Sequence, residues 1–395
     1  MSDRDRFRAE IRAWLDASCP PSMRSRTNEY PEVWGGRRPE FPSPDAKLWL
    51  ERMAERGYTA PTWPQPYGGA GLGPDEARIL AEEMRALGCP PPLKSLGLWM
   101  LGPTLLEFAT DEQKRAHLPP IARGELRWCQ GYSEPGAGSD LASVQTRAVR
   151  DGDHYVVNGH KVWTSHADKS DWIFCLVRTD PSAPKHEGIS FLLVDMASPG
   201  VTVRPIQLIS GSSPFCETLF ENVRVPVAHR IGPENGGWEI AKRLLQFERT
   251  FISTRRVDAA DESQTLEGVA RARLGVAGGV IADPILRDRI IQANIDLLCN
   301  RLTAERSREA AQAGLGIGAV SSMFKYYGTE LAKRRKELRV AIAGYQGLGW
   351  EGDGFAADDL AATREWLRYR ASSIEGGTSE VQLNIIAKRV LGLPD

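Results

Sequence analysis

Apolar residues recur at helical spacing through the first 125 residues. Phe7, Ile11, Trp14 and Leu15 form one set, Leu48 and Met53 with their neighbours a second, and Ile79, Leu80, Met84 and Leu87 a third. A repeat near 3.6 residues puts one apolar stripe on each helix. Ala60 to Gly69 interrupts the pattern with three prolines and two glycines, which remove amide donors and break a helix; around Trp63 and Tyr67 this reads as a packed surface loop. From 126 to 232 the period shortens. Tyr155-Val156-Val157, then Asn158-Gly159, then Lys161-Val162-Trp163-Thr164 reads as a hairpin on a favoured two-residue turn. Trp172 to Val177, Ile189 to Val194, Val201 to Ile206 and Thr218 to Val225 add strands, and strands at this spacing predict a sandwich or barrel. After Pro233 long helical patterns return over Trp238 to Thr254, Ile285 to Ala313 and Val320 to Ala343. Phe324, Leu331 and Leu338 mark the apolar stripe of the last, and Lys333-Arg334-Arg335-Lys336 reads as its solvated face rather than a polyanion site. The expected class is α+β in three domains: 1–125 helical, 126–232 a β-barrel or sandwich, and 233–395 a helical bundle.

Composition narrows the class further. A hydrophobic content of 42% and a charged content of 26% are those of an ordinary globular chain. Fifty basic residues against 51 acidic ones give a net charge of −1, which offers no electrostatic footprint for nucleic acid or an anionic membrane. The first residues lack the apolar core of a secretory signal, and no apolar run is long enough to span a bilayer. Six cysteines lie scattered without a CxxC pair, so reduced thiols in a cytoplasmic protein are expected rather than disulfides or zinc. His154, His160 and His166 are six apart with no carboxylate cluster, and surface histidines are a better account of them than a metal site.

The most informative run is Cys129-Gln130-Gly131-Tyr132-Ser133-Glu134-Pro135-Gly136-Ala137-Gly138-Ser139-Asp140. Glycines let a backbone approach a ligand closely, and exposed N–H and hydroxyl groups can hold a polar ring edge or a phosphate. Within it, Gly131-Tyr132-Ser133-Glu134-Pro135-Gly136 is one residue too long for a hydrolase nucleophile elbow. Gly314-Leu315-Gly316-Ile317-Gly318 follows a helical pattern rather than a strand, so it does not mark a dinucleotide fold.

Four segments in order resemble the acyl-CoA dehydrogenase family: residues 131–143, the stretch ending Lys161-Val162-Trp163-Thr164-Ser165, Gly236-Gly237-Trp238 through Phe247-Glu248-Arg249, and the tail 372–392. The resemblance spans nearly the whole chain. It implies an N-terminal helical domain, a middle β domain and a C-terminal four-helix bundle, with FAD between the middle domain and the bundle. The implied reaction oxidises an acyl-CoA thioester to its trans-2-enoyl form and passes the electrons to an electron-transfer flavoprotein.

That chemistry needs a base for the Cα proton and an acceptor for the Cβ hydride; only a cofactor supplies the second. Hydrogen bonds to the thioester carbonyl stabilise the developing enolate. By resemblance, Gln130, Tyr132, Ser133, Ser139, Trp163 and Ser165 contact the flavin, Thr378 and Glu380 its nucleotide portion, and Ser139 also the pantetheine arm. The Gly376 backbone N–H polarises the thioester carbonyl. Many family members carry the base as a glutamate where Gly376 stands here. The isovaleryl and long-chain branches take it from the bundle's first helix, and Glu248 is the matching position. Glu375, one residue early, is the alternative, and Arg249 steadies the site or meets the polar end of the substrate.

Two departures matter. An Arg-x-x-Phe-Gly motif that reaches the neighbouring subunit's FAD in many members is missing from Leu274 to Arg289, and Gly344-Tyr345-Gln346-Gly347-Leu348-Gly349 only loosely resembles another interface contact. Related members pair unlike subunits. The expected partners are therefore an acyl-CoA, an electron-transfer flavoprotein, and either an unlike, related subunit in a hetero-oligomer or, with Arg287 or Arg289 used in place of the missing arginine, further copies of this chain in a homo-oligomer (dimer or tetramer). An oxidase or monooxygenase on the same fold, and a non-catalytic subunit, are the other readings. Neither nucleic acid, membrane nor metal is expected.

Overall fold

The computed structural model describes residues 2–25, 32–254, 265–313 and 320–394, the side chains of 249–254, 308, 311 and 312 aside. Gly314 to Gly318 and the side chain of Arg249 lie outside the described residues. The chain divides into two compact units, Met1–Ile206 with Pro214–Ile252, and Gln207–Ser213 with Ser253–Asp395.

In the first unit, helices α1 (Asp3–Ser18), α2 (Pro44–Glu55), α3 (Pro74–Ala86), α4 (Gly102–Phe108) and α5 (Asp111–Ala122) precede the strands. Their starts are chemically marked. The Ser2 hydroxyl accepts from the Asp5 amide while the Asp5 carboxylate accepts from the Ser2 amide, and Thr110 and Gln113 repeat this reciprocal cap on α5. The three helices predicted from periodicity are α1 to α3. The proline-rich segment forms tight turns whose Trp63 is buried in the core rather than at the surface.

The strands are β1 (Trp128–Gly131), β2 (Arg147–Asp151), β3 (His154–Ser165), β4 (Trp172–Arg178), β5 (Ile189–Asp195), β6 (Val201–Ile206), β7 (Phe215–Pro226) and β8 (Arg230–Ile231). They form one sheet in the order β6-β7-β3-β2-β4-β5-β8, with β1 parallel to β4. β4 and β5 are buried almost end to end because both faces are covered. Ile173, Cys175, Val177, Leu192 and Val194 meet Tyr155, Val157, Phe220 and Val223 of β3 and β7 in an inner core. On the other face, Phe174, Leu176, Phe191 and Leu193 pack with Leu105, Leu118 and Ile121 of the helices and with Ile240, Ala241 and Leu244 of α6 (Gly237–Thr254). Arg243 Nε on α6 donates to Glu107 on α4 at 2.8 Å, and Gln113 on α5 donates to the carbonyls of Ala228 and Arg230 at 2.8 Å each. Helices, sheet and α6 thus share one core.

The expected hairpin at Asn158-Gly159 does not form. β3 runs through it, and the turn is Gly152, with φ +64°, between β2 and β3. Asn158 instead makes a side-chain exchange across to β7: its Oδ1 accepts from the Asn222 amide at 2.8 Å and its Nδ2 donates to Asn222 Oδ1 at 3.2 Å. The register shifts between Val157 and Gly159, with the extra residue on β7, where Asn222 takes φ +54°, and Gly159 lies against Thr146.

In the second unit, α7 (Leu266–Leu274), the short pair β9 (Val276–Ala277) and β10 (Val280–Ile281), α8 (Pro284–Gln312) and α9 (Val320–Ala343) enclose a core of Leu266, Val269, Ile290, Leu338 and Ile342. α10 (Ala357–Tyr369) is tied in by its buried Asp359, which accepts from Arg273 at 2.6 Å, and α11 (Ser379–Ile385) follows. The basic cluster on α9 is not simply solvated. Lys333 reaches Glu330, Arg334 reaches Asp296, Arg335 reaches Asn294 and Lys336 reaches Glu365. Of α9's expected stripe, Leu331 and Leu338 are buried and Phe324 is half-buried. No helix among the described residues is long and apolar enough to cross a membrane.

The close fit at the bulge makes a direct prediction. A Cβ on Gly159 would lie 2.6 Å from Thr146 Cα, a backbone atom that cannot move aside cheaply. Gly159→Ala is expected to lower unfolding stability by about 1–3 kcal/mol; urea denaturation measures it, and an unchanged midpoint refutes it.

Candidate active site

The glycine-rich run folds into a loop latched to β3 at three successive residues. The Tyr132 carbonyl accepts from Lys161 Nζ at 3.1 Å, the Ser133 carbonyl from the Val162 amide at 2.9 Å, and Glu134 Oε1 from Lys161 Nζ at 2.7 Å. The far end is held by the same carboxylate, which accepts from the amides of Gln145 and Thr146 at 2.6 and 2.9 Å. Arg178 adds bonds to the carbonyls of Ala142 and Glu187 at 2.7 and 2.8 Å. Between these anchors, reciprocal Glu134–Ala137 backbone bonds close a tight turn. Gly136 and Gly138 have open space where a Cβ would stand, so a ligand can approach their backbone. Ser139 is exposed beyond them, and Ser133 and Gln130 are half-buried.

Lys161 is 0% exposed and Glu134 7%. Burial alone would raise the Glu134 carboxyl, but the Lys161 ammonium and the amide bonds outweigh it and hold the group below the usual carboxylate range. Burial pulls Lys161 down, against the pull of Glu134. The carboxylate's direction governs, because its oxygens collect three donors; the pair is ionic.

Lys161 and Thr164 are both fully buried, which a strand's two-residue period forbids without an irregularity. The register shifts between them, and Trp163 takes φ +60°. This bulge turns the indole outward, 55% exposed, with its edge against Phe215 at 6.1 Å. A large aromatic held out on strained backbone is a functional signature. It fits a planar ring laid against it, and the open glycines of the loop fit the same client. Ser165 follows, half-buried.

On α6, Ala241, Leu244 and Glu248 follow one another at spacings of three and four and share a face. The first two are buried in the core that also contains Tyr132. Burial, then the Glu248 carboxylate, then Cys175 push the Tyr132 phenol well above its ordinary value; Glu248 itself is half-buried, one turn beyond Leu244.

The remaining predicted residues lie on the second unit. Gly376 has φ +63°. The Thr378 hydroxyl caps α11, accepting from the Val381 amide at 3.2 Å, and Glu380 is exposed in its first turn. Glu375 is gripped by Arg368, with Nη2 donating at 2.8 Å. His160 Nε2 lies 3.5 Å from Glu217, and the described residues hold no His, Cys, Asp or Glu group able to bind a metal. The Glu134–Lys161 pair escaped the motif reading. The signal was present, since Lys161 shares inward parity with Tyr155 and Val157.

The descriptions "Acyl-CoA dehydrogenase, N-terminal domain", "middle domain" and "C-terminal domain" match residues 1–125, 129–223 and 235–391. The chain belongs to the acyl-CoA dehydrogenase family, with its helical, β and helical domains. It is an FAD-dependent oxidoreductase acting on a CH–CH group. It is 37% identical to acyl-CoA dehydrogenase IpdE1 of Mycobacterium tuberculosis, over 100% of this chain and 99% of that protein. Among solved structures it is similar to the ChsE4-ChsE5 complex from Mycobacterium tuberculosis, at 31% identity and TM-score 0.73, covering 100% of this chain and 98% of that one. A Tcur3481-Tcur3483 steroid ACAD matches at 31% identity and TM-score 0.74, over 99% and 97% of the two chains.

Removing Lys161 strands a buried carboxylate. Lys161→Met is expected to cost about 3–5 kcal/mol, with Lys161→Met/Glu134→Leu less destabilised than the two single changes summed; thermal unfolding of the cycle decides, and additivity refutes the pair. The sign with pH follows from the depressed carboxyl. Its contribution is complete above the unfolded carboxylate's value and is lost as pH falls through the lower folded value. An acid unfolding limb steeper than that of Glu134→Gln is expected.

Proposed function

We propose that this enzyme dehydrogenates a bulky, ring-bearing acyl-CoA, with Glu248 taking the Cα proton, and delivers the electrons to an electron-transfer flavoprotein. The observation that carries the reading is the placement of Glu248 on the face of α6 that enters the core beside Tyr132. Glu375 is the weaker candidate because Arg368 already neutralises it. Bound FAD supplies the hydride acceptor. The latched loop, through Gln130, the main chain of Tyr132 and Ser133, would hold its ring edge, Trp163 would lie against its face, and Ser165 and Ser139 would bond its chain or the pantetheine arm. On the second unit, the resemblance supports Thr378 and Glu380 for the nucleotide portion and the Gly376 N–H for the thioester carbonyl, with Arg249 steadying the polar end of the substrate. A base in an apolar pocket gains strength from desolvation.

The ring-bearing substrate is supported by the likeness to a protein described as a steroid ACAD. Assembly with an unlike, related subunit is supported by the missing arginine motif and by the likeness to complexes of two named proteins. Arg287 is occupied in its own unit, donating to the Ile281 carbonyl at 3.2 Å, and Arg289 stands 3.8 Å from Glu337.

Under anaerobic conditions a steroid-derived acyl-CoA is expected to bleach the flavin faster than straight short-chain thioesters; equal or slower bleaching refutes the substrate class. Glu248→Gln should keep its flavin and lose about 10²–10⁴-fold in kcat, and retained turnover refutes the base. One FAD per chain in a purified homomer would remove the need for an unlike subunit.

A further inference from the structure

Tyr132 carries a polar atom that the fold does not use. Its side chain is buried, and its hydroxyl has no hydrogen-bond partner among the described residues. Leaving a buried hydroxyl unpaired costs about 1–3 kcal/mol, and native structures rarely tolerate it without a reason. The ring is fixed in place. It meets Phe174 and Phe191 edge-on, at 6.1 and 6.5 Å and 88° each, while those two rings stack on one another at 6.0 Å. Its main chain is fixed as well, by Lys161 at the Tyr132 carbonyl and by Gly131, where a Cβ would strike Cys175 Sγ at 2.5 Å. A phenylalanine would fill the same aromatic slot without the oxygen, so packing does not account for it.

The charged and titratable groups around the phenol are few. Glu248 approaches from α6, Cys175 from β4, and the Lys161–Glu134 pair lies on the main-chain side. The Cys175 thiol is pushed up to about 12 by burial and is neutral, and Lys161 and Glu134 satisfy each other. Glu248 is the carboxylate that acts on the phenol, and it stands one turn beyond Leu244, which α6 packs into the same core as Tyr132.

We propose that Tyr132 is a positioning residue for the catalytic base: its O–H donates to the Glu248 carboxylate when a thioester fills the site, aiming the carboxylate and favouring its ionised form. The inference rests on Glu248 being the base. A donor to the charged form lowers the pH at which a carboxylate ionises, so the hydroxyl extends activity toward acid pH. The phenol stays protonated throughout, because burial and the neighbouring carboxylate both oppose its ionisation.

The test is Tyr132→Phe in flavin-loaded enzyme, read by FAD per chain, thermal midpoint and kcat/KM against pH, beside Glu248→Gln. The expected result is unchanged flavin, an equal or higher midpoint, and an ascending limb moved about one unit to higher pH, with the two enzymes converging at alkaline pH. A purely structural tyrosine would lower the midpoint and leave the limb in place, which overturns the proposal. Loss of flavin in Tyr132→Phe overturns it too, since the phenol would then serve the cofactor rather than the base. Activity surviving in Glu248→Gln removes the base reading itself. An inactive Glu248→Gln beside a normal Tyr132→Phe pH profile removes this inference alone.

Discussion

The site on the first unit depends on one buried ion pair. Lys161 has no solvent to balance its charge, and an isolated ammonium in that interior would cost several kcal/mol. It is tolerable because Glu134 and the Tyr132 carbonyl meet it at 2.7 and 3.1 Å. The same carboxylate then accepts two amides eleven and twelve residues further along the chain. One charge therefore closes a loop at both ends, leaving only its glycine-rich tip unconstrained. A hydrophobic substitute of equal volume could match the stability but could not collect backbone donors and carbonyls from three segments. The polarity of the pair serves geometry more than stability.

That constraint propagates along β3. With Lys161 turned inward by its ion pair and Thr164 inward by the inner core, two residues must be accommodated where the pleat allows one. The strand bulges, and Trp163 takes the left-handed conformation with its ring outside. The exposed indole is thus a consequence of what its neighbours bury.

Much of this was legible in the sequence, and the failures are instructive. Helices with continuous apolar stripes, such as α1 and α3, and fully apolar strands, such as β4 and β5, are fixed by burial and so announce themselves. Asn158-Gly159 misled because a turn dipeptide also suits a strand beside a neighbour's bulge: glycine permits the approach to Thr146, and asparagine supplies the exchange with Asn222, the bulged residue of β7. The real turn, Asp151-Gly152-Asp153, carried an equivalent signal, and pairing across β2, β3 and β7 decided between them. The loop stood out by its motif and Glu248 was a candidate by resemblance, whereas the Glu134–Lys161 pair depends on tertiary pairing that no local spacing encodes. The ion pairs of the basic cluster on α9 were hidden for the same reason, since its acidic partners Asp296 and Glu365 come from other helices.

Several residues that break local rules stand beside the loop. A buried lysine, a non-glycine residue at positive φ, an outward tryptophan and an unpaired phenol all fall within or next to segments 130–134 and 161–165. Each lowers stability when considered alone, and several such departures gathered around one loop point to a site. Of these, the ion pair and the bulge are explained by the loop they shape and the ring they present. The phenol is explained by neither, and the carboxylate that acts on it is that of Glu248.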